Sequence, residues 1–247
     1  DVDSNGNIAI LDGLKSTAII YDKNLSFQKS FVITNKINYD IAGITFKFSL
    51  DNNLFVSFTD EINKYDLNGN LIKSFLIREK PFLAGKIIKN FVPLREDIIV
   101  IKDEMTGKAF ITSLEKNEEP KNLEIGDSDQ IIDLDCSTSS IYALLVTYSL
   151  GFAEYKIYKF NENGKFIKEA KLELQQGSLD VPSKISVSPD GKLFVFSNSF
   201  AYFAYDENLQ LLLSNSILNV PSSNQALSIV AYLNNQILIP VPDKGVL

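Results

Sequence analysis

The sequence predicts an all-β fold, a six-bladed β-propeller of four-stranded antiparallel blades whose first and last blades are incomplete. Three observations predict it. A turn-plus-strand unit recurs six times, and a second series is interleaved with it at the same period. The apolar runs are rich in β-branched and aromatic residues, and no long stretch shows 3.6-residue apolar periodicity.

The first series reads SNGNIAILD from Ser4, DNNLFVSFTD from Asp51, REDIIVIKD from Arg95, STSSIYALLV from Ser137, PDGKLFVFSN from Pro189 and NNQILIPVPD from Asn234. Its first apolar strand residues, Ile8, Leu54, Ile98, Ile141, Leu193 and Ile237, are spaced by 46, 44, 43, 52 and 44 residues. The second series runs AIIYDKNLSFQKSF to Phe31, INKYDLNGNLIKSF to Phe75, YKFNENGKFIKEA to Ala170 and YFAYDENLQLLLS to Ser214; FITSLEKNEEPKNLEI from Phe110 fills the gap more loosely.

Each period therefore holds four runs, strands a to d, joined by Asx- and Gly-containing turns. Asn-Gly and Asp-Gly accept the positive φ that tight hairpins require, and Asx side chains bond the local backbone. Repeated four-stranded units of this length are propeller blades, placed at about residues 1–35, 36–80, 81–126, 127–177, 178–220 and a partial 221–247 of one domain. Strand a of the first blade is expected to be absent, because the sequence opens on a turn. That opening, DVDSNGNIAILD, has the spacing of a calcium loop. A strand over Ile8–Leu11 would nevertheless carry Asp12 roughly 15 Å from Asp1, Asp3 and Asn5, too far for one ion.

Composition removes whole classes of chemistry. The 247 residues carry a net charge of −7 and no histidine. The charge opposes nucleic-acid binding, which needs a concentrated basic surface. Without histidine, Ser-His-Asp and Cys-His catalysis and His-ligated zinc or iron sites are excluded. The one cysteine, Cys136 in IIDLDC, rules out an intrachain disulfide or thiolate cluster and reads as a small buried hydrophobe. No apolar run approaches membrane-spanning length. Asp1 in place of an initiator methionine suggests a processed or trimmed chain, from which an extracytoplasmic or cell-surface location is expected.

VDSNGNIAILDG followed by AIIYDKN and FQKSF resembles an NHL-type repeat, and SVSPDGKLFVFSN is similar to the hairpin shared by NHL, YVTN and TolB-like propellers. The resemblance covers nearly the whole chain at the level of blade grammar and reaches no enzyme signature. It implies a six-bladed ring with b–c loops and d–a crossovers on one face, where binding sites usually lie. Calcium-dependent lactonases also occur on six-bladed propellers, but no such ligand set can be matched here.

On that face the b–c loops carry acids at four of six positions: Asp12, Asp60 with Glu61, Asp103 with Glu104, and Asp243. If they converged, their repulsion would call for a cation such as calcium; alternatively, each caps its own turn. The crossovers offer Tyr39 and Phe82 as aromatic contacts, Arg78, Lys80 and Lys86 around Phe82 for an anionic group, and Asp180 with Ser183. The expected function is a non-enzymatic scaffold binding a protein, peptide or saccharide ligand on this loop-rich face, with no cofactor and no catalytic residue. The alternatives are a calcium-dependent hydrolase or lactonase and a structural repeat module of a larger surface protein or filament.

Overall fold

The structure, a computed structural model, describes residues 1–12, 15–33, 45–58, 61–84, 86, 88, 90–149, 151–174, 181–197 and 201–217, with strand pieces at 230–231, 237–238, 240–241 and 245–246. It divides into two compact units, Asp1–Asn122 and Leu123–Leu247.

The first unit holds three antiparallel meanders. They are β1 (Ile8–Asp12), β2 (Thr17–Tyr21) and β3 (Phe27–Val32); β4 (Thr45–Phe48), β5 (Leu54–Ser57), β6 (Glu61–Tyr65) and β7 (Leu71–Leu76); and β8 (Asn90–Pro93), β9 (Ile98–Asp103), β10 (Lys108–Ser113) and β11 (Lys121–Asn122). The second unit holds β12 (Asp129–Cys136), β13 (Ser140–Ser149), β14 (Phe152–Asn161) and β15 (Phe166–Lys171), then β16 (Pro182–Val187), β17 (Leu193–Ser197), β18 (Ala201–Tyr205) and β19 (Leu211–Ile217). Among the described residues the one helical turn is a 3-10 turn at Ile77–Glu79. No helix among them is long and apolar enough to cross a membrane.

Five blade sheets are seen, which corrects the expected six. Beyond β19 the described strands are two isolated pairs, β20 (Val230–Ala231) with β21 (Ile237–Leu238) and β22 (Pro240–Val241) with β23 (Gly245–Val246). The expected sixth segment is far shorter than one period, and Pro240 and Pro242 each lack the N–H that a central strand donates on its ladder. The first sheet has three strands, β1-β2-β3, without a strand a, as expected. Only an isolated bridge from Val2 to Ile8 lies on that side, where the Asp1 ammonium donates to the Ala9 carbonyl at 2.9 Å and the Ala9 N–H donates to the Asp1 carbonyl at 2.9 Å.

The recurring D-x-N turn explains the repeat. Asp3, Asp22, Asp66, Asn161 and Asp206 each use one side-chain oxygen to accept the backbone N–H groups two and four residues on, at 2.8 to 3.0 Å. The side chain thereby closes the corner that the backbone alone leaves open. The residue three on is left-handed in all five turns: Gly6, Gly69 and Gly164, but also Leu25 at φ 62° and Leu209 at φ 56°. This divides the two leucines. Leu25 is half exposed, so Leu25→Gly relieves strain and is expected to raise stability by about 0.5–1 kcal/mol in urea titration. Leu209 is 5 % exposed in the core between the fourth and fifth blades, so Leu209→Gly is expected to cost about 2 kcal/mol.

Strand b lies between neighbours on both sides and is mostly apolar: β5 (LFVS) and β17 (LFVFS) are buried along their whole length. Blade faces then pack on one another. Phe55, Ile62, Phe91, Ile99 and Phe110 form one core in the first unit, and Leu144, Ile157, Ile185, Val195 and Phe203 form one in the second. Strand d is the exposed outer edge, and its lysine reaches the next blade. Lys29 donates to Asn68 Oδ1 at 2.8 Å, Lys73 pairs with Glu115, and Lys168 donates to the Asn208 carbonyl at 2.7 Å. Acids on strand a satisfy the following blade's inner edge: Asp133 and Asp135 accept the Ile185 and Val187 N–H groups at 2.9 and 2.8 Å. These side-chain bonds cover part of the inner strand edges within each unit.

Candidate functional site

The expected acids do stand at strand ends, one blade at a time, but their charges are satisfied locally. Asp12 ends β1, where its Oδ1 accepts the Lys15 N–H at 3.1 Å and its Oδ2 lies 3.6 Å from Lys15 Nζ. Glu61 opens β6 and accepts from Asn63 Nδ2 at 3.3 Å. Glu104 pairs with Lys102 at 3.0 Å. Asp103, at the end of β9, is buried; Lys86 Nζ donates to it at 2.5 Å and the Met105 N–H at 3.0 Å. Among the described residues, no three Asp, Glu or Cys side chains gather into a metal-holding group. Arg78 is exposed on the 3-10 turn, and Phe82 follows at 37 % exposure. Asp60, Asp243, Tyr39 and Asp180 lie outside the described residues.

A different feature stands out in the second unit. From Ile141, β13 continues for eight residues to Ser149, whereas β5, β9 and β17 end three, five and four residues beyond Leu54, Ile98 and Leu193. Its partner β14 matches it from Ser149↔Phe152 to Ser140↔Asn161. The flanking strands stop short: β12 reaches Thr147 and β15 reaches Lys156. The b–c hairpin therefore runs on past its sheet as a two-stranded tip. Gly151, at φ 82°, turns the chain there with no heavy atom near its Cβ position. The tip presents Tyr148 at 63 % exposure and Phe152 at 79 %. Tyr148 pairs with Ala153 and Phe152 with Ser149, so successive ladder rows put the two rings on opposite faces of the hairpin.

The base of this hairpin is held rigidly. Asp129, 4 % exposed at the start of β12, accepts from Thr147 Oγ1 at 2.5 Å, the Gly126 N–H at 3.1 Å and Tyr158 OH at 3.2 Å. Thr147 directly precedes Tyr148. Burial acts to raise the Asp129 pKa, but the three donors outweigh it and hold the carboxyl below its ordinary value of 3.8. Tyr158 is pushed the other way, first by burial and then by the adjacent carboxylate, so it stays a donor. Asp103 follows the same logic: burial raises it, and Lys86 with the Met105 N–H brings it below 3.8.

The sign of the acid dependence follows. Both carboxyls have folded pKa values below the unfolded one, so their contribution to stability is complete above the unfolded value and is lost as pH falls through the folded values. The urea midpoint is expected to stay level through the neutral range and to drop below pH ~4. Asp103→Asn should flatten part of that acid limb while lowering the neutral plateau.

No protein-family model matches the chain, and no curated protein matches it. Solved structures do. Virginiamycin B lyase from Staphylococcus aureus, in a form made catalytically inactive by exchange of one histidine for alanine and with quinupristin, is 9 % identical; the match covers 100 % of this chain and 77 % of that one, with a TM-score of 0.58. A streptogramin B lyase structure is 8 % identical over 98 % of this chain and 74 % of that one, with a TM-score of 0.56. Hsv2 of Kluyveromyces lactis is 17 % identical over 96 % of this chain and 74 % of that one, with a TM-score of 0.50. At such identities the likeness shows the fold alone, and the fold is a β-propeller of four-stranded antiparallel sheets.

Proposed function

We propose that this propeller is a non-enzymatic binding scaffold that engages a protein or an extended peptide on its b–c and d–a loops, with the fourth blade's hairpin as the principal contact. One observation carries the reading: two exposed aromatic rings, Tyr148 and Phe152, project on a two-stranded tip whose base is anchored through Asp129. Large aromatic side chains with few rotors, held on a stiff element, supply contact area at low entropic cost. The satisfied acids fit the same reading. Asp12, Asp103 and Glu104 each have a local cation, which leaves little uncompensated charge among them to draw a metal ion. The chain has no histidine, so it does not carry the residue type whose exchange inactivates the virginiamycin B lyase.

The test is to pan a random peptide display library on the immobilised protein and measure the enriched peptides against Tyr148→Ala, Phe152→Ala and the double variant. Each single change is expected to weaken binding roughly tenfold or more, as for an anchor worth 1–3 kcal/mol. Unfolding midpoints should stay within about 0.5 kcal/mol of wild type, because both rings are exposed. Peptides that bind the double variant equally well would overturn the assignment.

A further inference from the structure

Three Asn-Gly pairs occupy one place in one kind of turn: Asn5-Gly6, Asn68-Gly69 and Asn163-Gly164. In each, the glycine is left-handed, at φ 83°, 83° and 80°. Its N–H donates at 3.0 Å to the carbonyl of Asp3, Asp66 or Asn161. The asparagine N–H donates to a side-chain oxygen of that same residue at 2.9, 2.8 and 3.0 Å. The Asn68 side-chain amide has a cationic neighbour: Lys29 Nζ, from the outer strand of the first blade, donates to Asn68 Oδ1 at 2.8 Å.

We propose that Asn68-Gly69 is a self-modifying site at which the Lys29 ammonium promotes loss of the Asn68 side-chain amide. The backbone nitrogen of Gly69 attacks Cγ of Asn68, and negative charge develops on Oδ1 in the tetrahedral intermediate. The Gly69 proton passes through water to Nδ2, the Cγ–Nδ2 bond breaks, and ammonia leaves behind a cyclic imide. Water then opens the ring at either carbonyl, so position 68 ends as aspartate or isoaspartate with no redox partner involved.

Glycine as the following residue offers no Cβ to hinder that attack. Lys29 sits where the oxyanion forms, the arrangement that stabilises such intermediates. Asn68 is exposed, so water reaches it. An isoaspartate would also lengthen the backbone by one methylene at residue 68, next to Gly69, which packs so near the first blade that a Cβ on it would fall 2.4 Å from the Phe31 ring.

The experiment incubates the folded protein in mildly alkaline buffer and follows the three Asn-Gly peptides by mass mapping, with a urea-unfolded sample as the reference for intrinsic rates. Relative to that reference, Asn68 is expected to convert about fivefold faster than Asn5 or Asn163. This is well below the roughly hundredfold effect of a donor in a dry site, because Lys29 is only half-buried. Lys29→Met, shown folded by its urea transition, should abolish the lead and Lys29→Arg should keep it. Equal rates at the three sites in the wild-type protein, or a lead that persists in Lys29→Met, would overturn the proposal. Should Lys29→Met fail to fold, Lys29→Gln decides it in the same way, since it keeps a donor without the charge.

Discussion

Asp129→Ala is expected to destabilise the second unit by about 3–4 kcal/mol, among the larger effects a single substitution can have. The carboxylate is buried and serves three donors at once, Thr147 Oγ1, the Gly126 N–H and Tyr158 OH. Removing it strands those donors without bulk water, and each orphaned buried group costs about 1–3 kcal/mol. Thr147 can turn its hydroxyl elsewhere, which keeps the total below the simple sum. Asp129→Asn keeps the size but turns an amide N–H₂ toward donors, so about 2 kcal/mol is expected. Urea denaturation of both variants checks the order. The same substitutions should loosen the Tyr148–Phe152 tip, seen as faster amide exchange at Thr147 and Tyr148 than elsewhere in β13.

Gly69→Ala is expected to cost the first unit about 3 kcal/mol, for two separable reasons. The residue sits at φ 83°, which costs an L side chain about 1 kcal/mol. Its Cβ would also fall 2.4 to 2.7 Å from Cγ, Cδ1 and Cβ of Phe31, and the last of these is fixed to the backbone of β3. Phe31 cannot swing clear without leaving Tyr65, whose ring centroid is 5.8 Å away. A double-mutant cycle isolates the clash. In a Phe31→Gly background, which removes Cβ together with the ring, Gly69→Ala should cost only the roughly 1 kcal/mol of backbone strain. A full cost in both backgrounds would place the whole effect in the turn.

What the sequence could show was what repeats locally. The D-x-N turns at Asp3, Asp22, Asp66 and Asp206 are read directly from spacing because the carboxylate bonds residues two and four positions on. Where the spelling was loosest, after Phe110, the outer strand is only Lys121–Asn122. Where it broke at Pro240 and Pro242, the described strands are two short pairs. The candidate site was less legible, because its partners are far apart along the chain. Lys86 neutralises Asp103 from 17 residues away, and Asp129 meets Thr147 and Tyr158 across 18 and 29 residues. The recurring b–c acids do not lead to Tyr148 and Phe152, because the loop Ser149-Leu150-Gly151 between them carries no acid. The signal was length: SIYALLVTYS and FAEYKIYKFN are the longest strands described, and the turn between them contains Gly151.

The claim that this propeller works through its fourth-blade hairpin is tested most directly by hydrogen–deuterium exchange of the intact protein with and without the tightest panned peptide. The account predicts new protection at the amides of Tyr148, Ser149, Phe152 and Ala153, with little change at the c–d turns around Asp66 and Asp206. Protection confined to other loops, with the hairpin tip exchanging as in the free protein, would contradict it.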